Sequence, residues 1–320
     1  MQVWWHFGCR VPLCMTPNCP VPHLPRSHDR MSSEIVRFGF FKRNSDGHRW
    51  QRYRCKHCGK TFSDAGSSLQ YWQRLRFLEK PLFVDLVSGI SQRRASYKHF
   101  VNRKTVVRKF VRMGKRSVEQ LRSMQVIYPK AEIIEFDDLE TCEITKCKPL
   151  SVTLAVEHKC RRILGFRVAQ MPAKGPLASI ALKKYGPRED HRPKARAELF
   201  SDLAKLITPT ALIKSDKNPH YGPDVKRYFP TQTHKIYKGR KACTAGQGEL
   251  KKGGFDPLFC LNHTCAMLRA NINRLFRRTW CVTKKAERLE YHIAMYAMFH
   301  NLVLTHINRK QLFNEYFGPG

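Results

Sequence analysis

The sequence predicts an α/β protein: a mixed sheet with flanking helices, preceded by a small cysteine-bearing module and a basic helical one. Three observations predict it. Apolar residues come in short strand-like bursts, "AEIIEFDDLET", "SVTLAVEHK" and "RRILGFRVAQM", and then switch to helical spacing in "KARAELFSDLAKLI". A C-x-x-C pair stands in "RYRCKHCGKTFSD", well ahead of the first burst. Between the two, "PLFVDLVSGISQRRASYKHFVNRKTVVRKFVRMGKR" reads as short helices loaded with Arg and Lys.

The charge balance points to a partner class. Against 25 Asp+Glu the chain carries 59 Lys+Arg, a formal net charge of +34, which draws it to polyanions and to nucleic acid first. With 42% hydrophobic residues it still has the means to build a core, so a wholly disordered basic tail is excluded. No run of eighteen apolar residues exists, so no membrane span is expected. The start "MQVWWHFGCRVPLC" lacks the pattern of a secretory leader, so a cytoplasmic, reducing setting is expected for the twelve cysteines. There, close pairs read as metal ligands and scattered ones as buried thiols.

Residues 1–68 are rich in Cys, Pro, Gly and Arg and show little periodicity. Cys55 and Cys58 form one knuckle, with Gly59 for the tight turn and Phe62 to cover a metal. Cys14 and Cys19 in "CMTPNC" offer the second pair, with Cys9 as a rival ligand. Four thiolates suit the tetrahedral preference of Zn²⁺ and predict a zinc ribbon. The 35 residues between the pairs exceed the usual ribbon spacing of roughly 15–20, so an extra loop and a hairpin are expected there.

Residues 69–126 predict a helix-turn-helix region. Leu82, Val84, Leu86 and Val87 begin a short helix that "SGIS" interrupts, and Ser91 caps a second helix carrying Ala95 and Tyr97. A third helix has Val106, Val107, Phe110 and Val111 on one side, with Arg103, Lys104, Arg108 and Lys109 around it as candidate DNA contacts. A basic hairpin that touches only phosphate is the plainer alternative.

Residues 127–310 then read as three strands, a helix with Leu199, Leu203, Leu206 and Ile207 in periodic positions, a strand "TALIKSD", and a later helix from "NHTCAMLRANINRLFRR". That is the order of a ribonuclease-H-like core, whose first and fourth strands end side by side. Residues 311–320 are left as a tail. Asp137 closes the first strand and Asp216 the fourth. Two such carboxylates can hold a pair of Mg²⁺ (or Mn²⁺) ions about 3.5–4 Å apart, one for the attacking oxygen and one for the leaving oxygen. Asp138 and Glu140 are close enough in sequence to be confused with Asp137, although Asp138 would face the opposite side of the strand.

The chain resembles the DDE-type transposases of bacterial insertion sequences, those with an N-terminal zinc ribbon. The resemblance runs through "RYRCKHCGKTF", "FDDLET", "LIKSD" and, most specifically, "LRANINRLFRRTWCVTKK". In the family an Arg-rich helix carries the catalytic glutamate seven residues before a basic residue, and counting back from Arg269 lands on Asn262. Seven residues are two turns, so Asn262 and Arg269 share a helix face, beside an apolar stripe of Leu261, Cys265, Leu268, Ile272 and Leu275. Cys265 is then a core residue and Cys260 sits just outside the helix start, against a metal reading of Cys260, His263 and Cys265. Asn262 departs from the family pattern: its amide oxygen can ligate Mg²⁺ but brings no charge. A lineage that works with Asp-Asp-Asn, a missing carboxylate supplied by Glu249 in "AGQGELKKGGF", and a dead copy are the competing explanations.

The resemblance implies an enzyme that binds double-stranded DNA at the ends of its own element and cuts and joins it, working as a homo-oligomer near the bacterial nucleoid. Asp137, Asp216 and Asn262 would hold the metals and Arg269 would steady phosphate, while Lys284 and Lys285 would track the strand. Its rivals are a DNA-binding regulator with an inactive core and a structure-specific nuclease.

Overall fold

A computed structural model of the chain describes residues 14, 19, 34–42, 44, 47, 49–63, 75–125, 128–238, 256–276 and 281–304. The described residues fall into two compact units, one ending at Phe77 and the other beginning at Leu78.

In the first unit three antiparallel strands, β1 (Ile35–Lys42), β2 (Arg49–Cys55) and β3 (Thr61–Ser63), lie in that order. The β1–β2 pair is the hairpin expected between the two cysteine pairs, bent by a bulge between Arg37 and Phe40. Ile35, Tyr53 and Cys55 are buried together, and the Phe62 ring stacks on Tyr53 at 5.7 Å. Gly59, at φ +69°, takes the left-handed conformation that the turn after Cys58 requires.

The second unit opens with helices α1 (Glu79–Val87), α2 (Gln92–Lys98) and α3 (Arg103–Gln125). Pro81 sits in the first turn of α1, where its missing N–H costs nothing. Ser91 caps α2, its Oγ accepting from Arg94 N at 3.3 Å, as its position predicts. Strands β4 (Ala131–Cys142), β5 (Pro149–Glu157) and β6 (Ile163–Gln170) follow, then α4 (Leu177–Tyr185), α5 (Arg192–Leu203), β7 (Ile207–Asp216), α6 (Tyr221–Tyr228) and β8 (Thr233–Tyr237). After residues 239–255 come α7 (Phe259–Asn271) and α8 (Ala286–Phe299).

The five strands form one mixed sheet in the order β6-β5-β4-β7-β8. β4–β5 and β5–β6 pair antiparallel, β4–β7 and β7–β8 parallel. The chain is therefore α/β with flanking helices, an arrangement compatible with a ribonuclease-H-like core. β5 is buried along nearly its whole length, as an apolar run covered on both faces should be. On one face Phe136 meets Phe200 of α5 at 5.0 Å and Tyr221 of α6 at 4.8 Å. On the other lie α3, α7 and α8. From Tyr291 to Met298 every residue of α8 is buried, the pattern of a helix covered on every side along that stretch.

The helices of residues 79–125 share this unit with the sheet. Gly114 lets α3 lie directly on α8: a Cβ there would come within 2.3 Å of the Tyr291 Cβ. His292, buried and bonded to the Leu86 carbonyl at 2.7 Å, ties α8 to α1. Burial holds its pKa down to about 3, so it stays neutral.

Two expected boundaries shift. The helix read through Leu206 and Ile207 stops at Leu203, and Ile207 instead opens β7 opposite Ala131. A helix carried further would run into Pro209, and "ITPT" favours extended backbone. Cys260 lies inside α7 rather than ahead of it, because the helix starts at Phe259, while Ile272 and Leu275 fall beyond its end. No helix among the described residues is long and apolar enough to cross a membrane.

Candidate active site and metal centres

The four expected cysteines of the first unit converge. Their sulfurs all lie within 4.8 Å of one another, with Cys14 to Cys58 at 3.6 Å and Cys19 to Cys55 at 3.9 Å. Tetrahedral Zn–S bonds of about 2.3 Å place sulfurs about 3.8 Å apart, so the cluster fits that ion. Backbone bonds shape the knuckle: Gly59 N donates to Cys55 O at 2.9 Å and Cys55 N to Lys60 O at 3.0 Å. Cys9, the rival ligand, lies outside the described residues.

In the second unit the parallel register of β4 and β7 sets the acids. The last registered pair is Phe136 opposite Ser215, which leaves Asp137 and Asp216 next in line on adjacent strands. Burial and the neighbouring Asp216 carboxylate push the pKa of Asp137 up to about 6. Burial raises Asp216 as well. Two donors hold Asp137 Oδ1, Asp138 N at 2.7 Å and Tyr221 OH at 3.1 Å. Burial and the three surrounding carboxylates raise the Tyr221 pKa, so its hydroxyl keeps its proton and donates. Asp216 Oδ1 accepts from Asn218 N at 3.2 Å.

Asp138 has partners of its own, and its charge also raises Tyr221 and Asp216. It accepts from Thr153 Oγ1 at 2.5 Å and lies 3.9 Å from Arg196 of α5. Glu140 is half-exposed and bonded to Lys174 at 3.0 Å.

The N-terminus of α7 is anchored to β4. Leu261 N donates to Glu135 Oε2 at 2.9 Å, while His158 Nδ1 meets Glu135 Oε1 at 2.5 Å and Lys214 Nζ lies 3.9 Å away. The Cys260 sulfur completes a group with Glu135 and His158 whose ligand atoms lie within 4.8 Å. Glu135 is fully buried, and its oxygens are already engaged by these donors and a nearby ammonium. The group therefore reads first as a neutralised carboxylate that docks the helix.

One turn further along, Cys265 is pushed up to about 12 by burial, with Arg269 and Asp137 both acting on its thiol electrostatically. That face of α7 thus looks toward the end of β4. Asn262 precedes Cys265 by three residues and Arg269 follows by four, so the two flank it on neighbouring turns. Asn262 is exposed, and its Nδ2 donates to Asp256 Oδ2 at 2.8 Å. His263 turns to Arg161 at 2.8 Å, so Cys260, His263 and Cys265 do not converge on one point. Glu249 lies outside the described residues.

Among the candidate DNA contacts, Arg103, Lys104, Arg108, Lys284 and Lys285 are exposed. Lys109 is a correction: at 7% exposure it is buried against the rest of its unit. Burial lowers its pKa while Glu79 works the other way, so its charge serves the interior rather than a phosphate.

Sequence reasoning missed Tyr221, Glu135 with His158, and Asp256. Nothing local marks the first two, since each acts across the sheet. Asp256 carried a signal: an Asp just before an apolar run is a helix-start residue, and "DPLF" has that form.

Comparison with protein-family models and with curated proteins gives no match. Among solved structures, a chain of the cryo-EM structure of the simian T-cell lymphotropic virus intasome in complex with PP2A regulatory subunit B56 gamma is similar at a TM-score of 0.29 and 11% identity. The likeness covers 75% of this chain and 73% of that one. At that level it decides neither fold nor function, which rest on the geometry above.

Proposed function

We propose that this chain is a DNA transposase of the DDE type, with a ribonuclease-H-like core and a zinc ribbon. One observation carries the reading: two carboxylates far apart in sequence stand at the ends of adjacent parallel strands, where burial first and the Asp216 charge second push Asp137 up to about 6. That repulsion is the fit test for a divalent cation. Hard oxygen donors that repel each other suit Mg²⁺ or Mn²⁺, and Asp137, Asp216 and the Asn262 amide oxygen would hold the ions. When bound, the ions would activate an attacking oxygen and stabilise a leaving one.

The chain's own groups do the rest. Tyr221 and the Asp138 amide fix the Asp137 carboxylate. Arg269 supplies a cation for a phosphate on the α7 side. Arg103, Lys104, Arg108, Lys284 and Lys285 offer charge for the DNA backbone, in keeping with the +34 excess. Paired DNA ends call for a homo-oligomer.

The test uses the purified full chain, Mg²⁺ or Mn²⁺, and DNA carrying the sequences that flank its own gene. Wild type should release a 3′-hydroxyl end and join it to target DNA. Asp137→Asn and Asp216→Asn should each cut the rate by more than ~100-fold. Cleavage that persists in both variants would overturn the reading. The uncharged Asn262 favours one second reading, a DNA-binding regulator with an inactive core. It predicts tight, end-specific binding, no joined product, and no effect of Asp216→Ala.

A further inference from the structure

We infer that Asp256 is a positioning residue for Asn262, turning an ordinary amide into an oriented oxygen ligand with a carboxylate one hydrogen bond behind it. The inference rests on the transposase reading and concerns Asn262, an amide where that reading's family has an acid.

Asp256 is itself held by the start of α7. Its Oδ1 accepts from Leu258 N at 3.0 Å, and its carbonyl accepts from Phe259 N at 3.1 Å. That leaves Oδ2 free to accept from Asn262 Nδ2 at 2.8 Å. Asn262 is also fixed at its backbone, where its N–H donates to Leu258 O at 2.9 Å.

An amide side chain has two orientations of nearly equal shape, and only one presents oxygen. Toward a cation the other presents N–H groups and repels it. A carboxylate accepts but does not donate, so Asp256 commits Nδ2 and turns Oδ1 away from itself. Donation from Nδ2 to an anion also shifts electron density onto Oδ1. This is the means by which carboxylates behind metal ligands raise ligand basicity. The pair thus restores a negative charge near the third position without placing it in contact with the metal. Asn262 follows Leu261, whose N–H docks on Glu135 of β4 two residues before Asp137, and it precedes by one turn Cys265, which feels the Asp137 charge.

The plain alternative is that Asp256 only caps α7. The two roles separate in a Mn²⁺ titration of the full chain, followed by the electron paramagnetic resonance of free Mn²⁺. The variants are Asp256→Asn, Asp256→Ser, Asn262→Ala and the double variant Asp256→Ser with Asn262→Ala. Asp256→Ser keeps a capping hydroxyl but cannot reach Asn262, and Asp256→Asn keeps shape and loses the charge. We expect each Asp256 variant to weaken Mn²⁺ binding by about 10-fold with helix content retained. The double variant should bind no more weakly than Asn262→Ala alone, because without the amide Asp256 has nothing to orient.

Unchanged binding in both folded Asp256 variants overturns the inference. If Asp137→Asn still abolishes binding in that case, the transposase site stands and only the role of Asp256 falls. If Asp137→Asn also leaves binding unchanged, the two-carboxylate reading falls with it.

Discussion

In the first unit four sulfurs gather within 4.8 Å of one another. In the second, two carboxylates stand at adjacent strand ends, both raised by burial, with the Asp216 charge adding to the rise at Asp137. The first unit has Cys55 and Cys58 on one short turn and a small core beside them. The acids instead come from strands brought together by the whole sheet. A closed soft centre is suited to holding a fold, and an open hard one to exchanging ligands. Under the proposed function the difference assigns stability and chemistry to separate centres, and each can be removed to see what remains.

The largest effect is expected at the ribbon. Structural zinc contributes about 10–16 kcal/mol of apparent binding energy in small domains, which becomes folding energy. Cys55→Ser should leave a chain that no longer retains zinc through gel filtration and loses ordered amide signals from the ribbon. The unit from Leu78 has its own cluster around Phe136, Phe200 and Tyr221 and should keep its thermal transition. A ribbon that stays ordered without zinc would break the comparison, because its small core would then suffice alone.

At the acids the test is pH. Asp137 is raised from 3.8 to about 6, so folding binds its proton more tightly than the unfolded chain does. Its contribution is present at pH below 3.8 and disappears as pH rises through about 6. The displacement corresponds to about 3 kcal/mol at most. Without metal, the melting temperature should therefore fall between pH 4 and pH 6.5 on this account, and Asp137→Asn should flatten that slope. Adding Mg²⁺ at pH 7 should recover stability in wild type and not in the variant. A slope unchanged by Asp137→Asn would mean that neither burial nor the Asp216 charge raises Asp137 in the folded chain.

How much was legible follows the same division. Strands β4, β5 and β6 showed in the sequence as short runs between turns, nearly unbroken and apolar in β5, interrupted by acids in β4 and by Arg167 in β6. The C-x-x-C knuckle showed because its chelate ring is local. Asp137 and Asp216 showed only as strand-ending acids, and their meeting depends on parallel pairing that no local pattern encodes. Lys109 was misread because its charge answers Glu79, thirty positions earlier, through packing of α1 on α3. Cys260 was placed outside α7 because "DPLF" was not read as the helix start.

A smaller, purely structural effect sharpens the contrast inside the second unit. Gly114→Ala puts a methyl 2.3 Å from the Tyr291 Cβ, so α3 and α8 must separate. Overpacking of this kind costs about 1–3 kcal/mol, readable as a shift in the urea midpoint, with zinc content unchanged.

The smallest expected effect distinguishes surface charge from buried charge on one helix. Arg108 is exposed on α3, while its neighbour Lys109 is 7% exposed near Glu79, itself 2% exposed. If Arg108 meets DNA phosphate, Arg108→Ala weakens binding equally across sequences and lowers the salt slope by about 1. It should leave the urea midpoint where it was. Lys109→Met should do the reverse, because removing the ammonium strips the buried Glu79 of part of its countercharge, leaving Arg116 at 2.9 Å as the other. Stability then falls while the salt slope of DNA binding holds. Should Lys109→Met change the slope and Arg108→Ala the stability, the basic face of α3 has been assigned the wrong way round, and its DNA-facing side lies a residue further along the helix.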